Sequence, residues 1–314
     1  LEAFEERSGP AAARVVRDLR LSSAACVPLS IGRRAVGTLT LARSLPDTAF
    51  DQDDVALLTV IAERVATSLE NARLYEQQRV IADTLQNVLM PRFLPTVRSL
   101  DIAGRYRPLT LVGHVGGDFY DVLSLGDDRC AIMVGDIAGK GITAAAAVGL
   151  ARHTLRATVS LDSSPTTVIR QVNDALLEED RMCTLAYVLL ERGDGGWQMG
   201  VTLAGHPPPI VVRANGEVLS VGRPCPPVGV LPHLEPIEVE VHLEPGDMAI
   251  MYTDGFSLPG LTPPESIELA LSKCTGGTAD TLLDEMLDVL FEGPDQGRDP
   301  ADDVALLALK VSST

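Results

Sequence analysis

With 314 residues, 46% of them hydrophobic and 22% charged, the chain is long enough for two domains with real cores and is globular rather than disordered. A formal charge of −17 argues against nucleic acid or an anionic membrane surface as a partner. The five cysteines (Cys26, Cys130, Cys183, Cys225, Cys274) are scattered, odd in number and free of C-x-x-C spacing, so they read as reduced thiols of a cytoplasmic protein. No apolar run is long enough to span a membrane, and no signal-peptide pattern opens the chain. The first residue is Leu, which suggests a piece of a longer gene product.

Residues 20–43 alternate like two strands, Ala25-Cys26-Val27-Pro28-Leu29 and Ala35-Val36-Gly37-Thr38-Leu39-Thr40-Leu41, joined by a turn at Ile31-Gly32-Arg33-Arg34. A helix start follows at Asp51, where Asp53 and Asp54 suit the positive end of the helix. Its apolar stripe runs Val55, Leu58, Ala62, Val65, Leu69, Ala72. A second stripe, Leu74, Ile81, Leu85, Val88, is offset from the first and ends at Pro91. This spacing predicts one long coiled connector with a stutter or break at the offset.

From Leu100 the texture changes to short strands separated by Gly, Pro and Asp. Strands are expected at 101–107, 118–124, 130–135, 183–191, 197–204, 209–213, 217–220, 237–243, 247–253 and 303–311, and helices at 140–159, 165–179 and 278–291. Residues 258–277 and 292–302 read as loops. Ten strands with three helices outside predict an α+β sandwich.

Within it, the turn Leu125-Gly126-Asp127-Asp128-Arg129 joins two apolar stretches. Centred on Asp127, that turn sets Asp118 directly opposite Asp136. Two carboxylates with Cβ atoms roughly 4.5–5.5 Å apart across a ladder repel each other, and a shared cation relieves the repulsion. Asp254 follows the strand ending Met251-Tyr252-Thr253, and Asp302 and Asp303 open the strand at Val304. Acidic residues at several apolar strand ends suggest one shared edge, and hard oxygen ligands select Mg²⁺ or Mn²⁺. The plainer alternative is that each aspartate only caps its turn.

These residues resemble the SpoIIE-like bacterial branch of the protein phosphatase 2C superfamily. The resemblance covers about 85–314 and rests on Leu-Met-Pro-Arg-Phe-Leu-Pro (89–95), Ala-Gly-Arg-Tyr-Arg-Pro (103–108), Val-Gly-Gly-Asp-Phe-Tyr-Asp (115–121) and Val-Gly-Asp-Ile-Ala-Gly-Lys-Gly (134–141). It continues in Ala-Gly-His-Pro-Pro-Pro (204–209), Tyr-Thr-Asp-Gly (252–255) and Asp-Asp-Val-Ala-Leu-Leu (302–307). It implies a β-sandwich flanked by helices, with two Mg²⁺ or Mn²⁺ ions at one end. Asp136 would bridge both ions and the Ile137 carbonyl would assist. Asp254 and Asp302 would complete one sphere, Asp118 would serve the other, and Asp303 would stand behind, or trade places with Asp302. The implied catalytic set is Asp118, Asp136, Asp254 and Asp302, and the implied reaction is direct hydrolysis of phosphoserine or phosphothreonine without a phosphoenzyme.

The resemblance further implies a phosphorylated protein substrate, the antagonist of an anti-sigma factor, in partner-switching control of transcription. The rivals are a pseudophosphatase acting as a binding module and a small-molecule metal phosphoesterase. Gly116, Gly117, Gly139 and Gly141 would let backbone approach ions and substrate. His206 reads as ordering its proline-rich turn, and Lys140 as a solvated side chain rather than a phosphate ligand. His114, His153, His233 and His242 lack partners at ligand spacing. Leu203 and Ser257-Leu258 depart from the family pattern without touching the implied ligands.

Residues 20–78 resemble the C-terminal half of a GAF domain, through Cys26-Val27-Pro28-Leu29, Val36-Gly37-Thr38-Leu39, Phe50 and Asp54 at the helix entry, and Leu69-Glu70-Asn71-Ala72-Arg73-Leu74. The expected organisation is a partial GAF-like α/β sensor domain at 1–73, a linker helix at 74–97 that forms a homodimer, and a phosphatase domain at 98–314.

Overall fold

A computed structural model of the chain describes residues 18, 21–44, 49–108, 115–291 and 302–312. His114 and nearly all of the loop at 292–302 lie outside the described residues, as do the side chains of Leu85 and Val88. The chain divides into two compact units, Leu1–Gln78 and Arg79–Thr314.

In the first unit, β1 (Leu21–Ile31) and β2 (Arg34–Ser44) form an antiparallel hairpin. Alternation puts Ala25, Val27 and Leu29 on one face of β1. They pack with Leu58, Ala62 and Ala66 of α1 (Gln52–Leu89), which share one helix face at four-residue spacing. The helix start is the expected one. The Asp54 amide donates to the Asp51 carboxylate at 2.8 Å, and the Asp51 amide donates back to Asp54 at 3.1 Å. One expectation for α1 needs correction: the buried stripe is shorter than the periodicity suggests, because Val55 and Leu69 are exposed. The long connector is one continuous helix, so of the stutter and the break expected at the offset only the break is ruled out.

In chain order the second unit comprises β3 (Leu100–Arg107), β4 (Asp118–Ser124), β5 (Arg129–Ile137), α2 (Ile142–Leu161), α3 (Pro165–Glu178), β6 (Cys183–Gly193), β7 (Gly196–Ala204), β8 (Ile210–Val212), β9 (Val218–Ser220), β10 (Glu238–Leu243), β11 (Met248–Tyr252), α4 (Pro263–Leu271), α5 (Ala279–Phe291) and β12 (Val304–Val311). The strands form two five-stranded sheets, ordered β10-β7-β6-β5-β4 and β3-β12-β11-β8-β9. The inner faces supply the main core, with Ile132, Val134, Val188 and Val201 from one sheet and Met251, Ala305 and Leu307 from the other. Helices α2 and α3 cover the outer face of the first sheet, and α4 and α5 that of the second. The α+β sandwich flanked by helices expected from the sequence is therefore the fold.

Helix α4 corrects the loop expected over 258–277. Pro263 and Pro264 look like breakers, but proline suits the first turn of a helix, where the amide has no partner anyway. The Glu265 carboxylate accepts from the Thr262 amide at 2.7 Å and closes that turn. Ile267 and Ala270 then bury against the second sheet.

Candidate metal centre

The β4–β5 hairpin pairs Asp118 with Asp136 directly, with Tyr120 opposite Val134 and Val122 opposite Ile132. The turn is closed by the Leu125 amide on the Arg129 carbonyl at 2.9 Å. Alternation sends Tyr120, Val122, Ile132 and Val134 into the core between the sheets. Asp118 and Asp136 continue that inner face to the end of the sandwich. One strand further, Thr184 pairs with Asp136 across β5 and β6.

The second sheet supplies the other side. Ala249 and Met251 of β11 face inward, and Thr253 is the next residue of that parity. Its hydroxyl donates to Asp118 Oδ2 at 2.6 Å. Asp254 lies one residue beyond, exposed on the turn. Ahead of β12, Asp303 is 6% exposed, whereas the neighbouring Asp302 is exposed and pairs through Oδ1 with Lys140 Nζ at 3.1 Å. The buried member of that doublet is thus Asp303. Sequence order alone left the two interchangeable.

Glycines make room for this convergence. A Cβ at Gly117 would overlap the Ile137 carbonyl, and one at Gly116 would overlap the Asp303 carboxylate. The Ile137 amide donates to the Gly117 carbonyl at 3.0 Å, so the two aspartate-bearing segments lie backbone to backbone. Gly139 and Gly141 serve differently: both take positive φ in open space, and Gly141 precedes α2.

Electrostatically the carboxylates form one group. Burial pushes the Asp118 carboxyl well above the usual range, the charge of Asp136 pushes it further, and the Thr253 hydrogen bond opposes both. Burial and then the charges of Asp254 and Asp302 raise Asp136 to about 7. Among the described residues, no three His, Cys, Asp or Glu side chains stand close enough to hold a metal ion as arranged. The donor set still fits a hard divalent cation. It is all oxygen, it is drawn from both sheets to one end, and its carboxylates raise one another's proton affinity.

Other sequence candidates surround these carboxylates or lie further off. His206 is 6% exposed, its Nδ1 is 2.8 Å from Thr184 Oγ1, and burial lowers its pKa to about 4. Burial thus favours its neutral form. Cys183 and Leu203 are core residues, and all five cysteines are free, Cys26 being exposed. Lys140 is an ion-pair partner of Asp302 rather than a purely solvated side chain. The sequence reading passed over Thr253 and also Asp121. Asp121 is fully buried on β4 and accepts from Arg152 Nη2 at 2.8 Å and Arg156 Nε at 2.6 Å, both on α2. Arg152 also donates to the carbonyl of Leu89, the last residue of α1.

The profile of the stage II sporulation protein E (SpoIIE) family matches residues 126–312, and that of a GAF domain matches residues 2–71. The chain is 28% identical over 225 residues to Protein IcfG of Synechocystis, covering 63% of this chain and 34% of that protein. It is 23% identical over 230 residues to the phosphoserine phosphatase RsbU of Bacillus subtilis, covering 68% of this chain and 64% of RsbU. The chain therefore spans less than two thirds of either relative. Among solved structures, the RsbU and RsbW domains of a Mycobacterium tuberculosis protein match with a TM-score of 0.60 and 29% identity, over 70% of this chain and 63% of that one. The catalytic domain of the serine/threonine phosphatase PstP in complex with two manganese ions matches with a TM-score of 0.50 and 17% identity, over 68% of this chain and 99% of that one.

Proposed function

We propose that this chain, which belongs to the SpoIIE family, is a divalent-metal-dependent phosphatase of protein phosphoserine and phosphothreonine. The observation that carries this reading is the convergence of Asp118 and Asp136 from one sheet with Asp254, Asp302 and Asp303 from the other at one end of the sandwich. In this reading Asp136 would be shared by two Mn²⁺ or Mg²⁺ ions with help from the Ile137 carbonyl. Asp254 and Asp302 would hold one ion, Asp118 would hold the other, and the buried Asp303 would support them. The manganese in PstP, a protein of the same fold, favours that metal class.

When bound, such a pair of ions activates water and neutralises phosphate charge. The chain's own residues do the rest. The buried carboxylates fix where cationic charge can sit, and Gly116 and Gly117 let the backbone close around it. Positioning and charge complementarity supply most of the rate in phosphoryl transfer.

The finer reading is that the substrate is a phosphorylated anti-sigma-factor antagonist, dephosphorylated in the cytoplasm under control of the GAF-like region at 1–73. The linker at 74–97 would mediate a homodimer, ahead of a phosphatase domain at 98–314. The similarity to RsbU supports this reading. No described helix is long and apolar enough to cross a membrane.

The test is phosphate release from a phosphoserine protein with Mn²⁺, with chelator, and with Asp136→Asn. Chelator-sensitive turnover that disappears in Asp136→Asn is expected. Tight binding of the phosphoprotein without turnover would select a pseudophosphatase instead, and turnover of small esters alone would select a small-molecule phosphoesterase.

A further inference from the structure

We propose that Thr253 is a positioning residue that locks the carboxylates of one sheet against those of the other, through Asp118, so that cation binding depends on its hydroxyl. The inference rests on the metallophosphatase reading above and deepens it.

The hydroxyl sits at a junction. It accepts from the Ala305 amide at 2.9 Å and lies 2.6 Å from Asp118 Oδ2. An amide can only donate, so the single hydroxyl hydrogen remains available for an acceptor. The Ala305 carbonyl is 3.4 Å away, at the limit of hydrogen bonding, and the carboxylate is far closer. At 2.6 Å the bond is short, and it holds Asp118 Oδ2 against the second sheet.

Position gives the bond its wider effect. Asp118 begins β4 in one sheet, whereas Thr253 and Ala305 lie at the ends of β11 and β12 in the other. The Thr253 amide also donates to the Ala305 carbonyl at 3.1 Å, so both backbone and side chain tie the residue to Ala305 in its own sheet. Asp254 follows it directly, and Asp303 lies two residues before Ala305. One buried hydroxyl thus ties Asp118 and its partner Asp136 to the segment bearing Asp254 and Asp303. Thr253 is 0% exposed and Asp118 is 5% exposed, so water cannot readily replace the bond.

A merely space-filling threonine makes the opposite prediction for two substitutions. Thr253→Val keeps the shape and loses the hydroxyl; Thr253→Ser keeps the hydroxyl and loses a methyl. Calorimetric titration of the metal-free full chain with Mn²⁺ is expected to show Thr253→Val binding about 10–100-fold more weakly than wild type, the usual cost of removing a partner that orients a ligand. Thr253→Ser should bind close to wild type. In an Asp118→Asn background the valine substitution should cost little further affinity, because its effect passes through that carboxylate. Thr253→Ala replaces the valine variant if the latter does not fold.

Wild-type affinity in Thr253→Val, equal losses in the valine and serine variants, or additive losses in the Asp118→Asn background would each overturn the proposal while leaving the phosphatase reading intact. A wild-type chain that takes up no Mn²⁺ would overturn both.

Discussion

Asp118 and Asp136 stand directly opposite each other across β4 and β5, on the face turned toward the second sheet. Neither is an isolated surface charge. Burial raises the proton affinity of both, Asp136 adds to the rise at Asp118, and Asp254 and Asp302 add to that at Asp136. Crowding buried carboxylates in this way costs folding energy in the absence of a counter-charge.

The first consequence is a pH dependence. Burial and the charges of Asp254 and Asp302 push Asp136 up to about 7 in the folded chain, against an ordinary value of about 3.9. Between those values the folded chain keeps a proton that the unfolded chain has released. The contribution of this group to stability therefore falls as pH rises through that window. In chelator, thermal denaturation of wild type and Asp136→Asn should give a difference, wild type minus variant, that declines from about pH 5 to about pH 8. Saturating Mn²⁺ should flatten the trend. A difference independent of pH in chelator would show that Asp136 is not held in this way.

The pair should also respond unequally to substitution. In the proposed mechanism Asp136 bridges and Asp118 serves one ion. Asp136→Asn should abolish phosphate release at any Mn²⁺ concentration, whereas Asp118→Asn should be partly restored by raising Mn²⁺. Activity measured across a Mn²⁺ series separates the two. Equal Mn²⁺ affinity in wild type and Asp118→Asn would refute the division of labour.

Asp121 gives a prediction about stability. It is 0% exposed, with Arg152 at 11% and Arg156 at 44% side-chain exposure. Removing the carboxylate strands the buried Arg152, which also holds the Leu89 carbonyl. Asp121→Ala should lower unfolding free energy by about 3 kcal/mol. Arg156→Ala, which removes the more exposed partner, should cost about 1 kcal/mol or less. Urea denaturation in the presence of Mn²⁺ measures both, and equal losses in the two variants would contradict the assignment.

How far the sequence could be read depended on the range of each interaction. The Asp118–Asp136 pairing was legible because a hairpin is local: one turn and a two-residue period fix its register. Helix α4 is hard to see in the sequence because it is short and opens on Pro263-Pro264, although Thr262 and Glu265 carry a helix-start signal. The stripe on α1 was drawn too long because periodicity says which residues share a face but not how far a partner extends along it. Thr253 had a usable signal: it is a polar residue continuing the inward parity of Ala249 and Met251. The same parity, carried back from Ala305 and Leu307, singles out Asp303 over Asp302.

By itself the sequence determined the two-sheet α+β fold, the family motifs in their order and the facing of Asp118 with Asp136, because strand alternation and short turns are encoded by neighbouring residues. Only the tertiary structure decided that Thr253 reaches Asp118 across 135 positions, that Asp121 is shared by two arginines of α2, and that Asp303 is buried while Asp302 pairs with Lys140. These contacts join elements that meet only when the two sheets and their helices pack. The distance between sheets and the burial at their end are properties of the packed core, which no local pattern records.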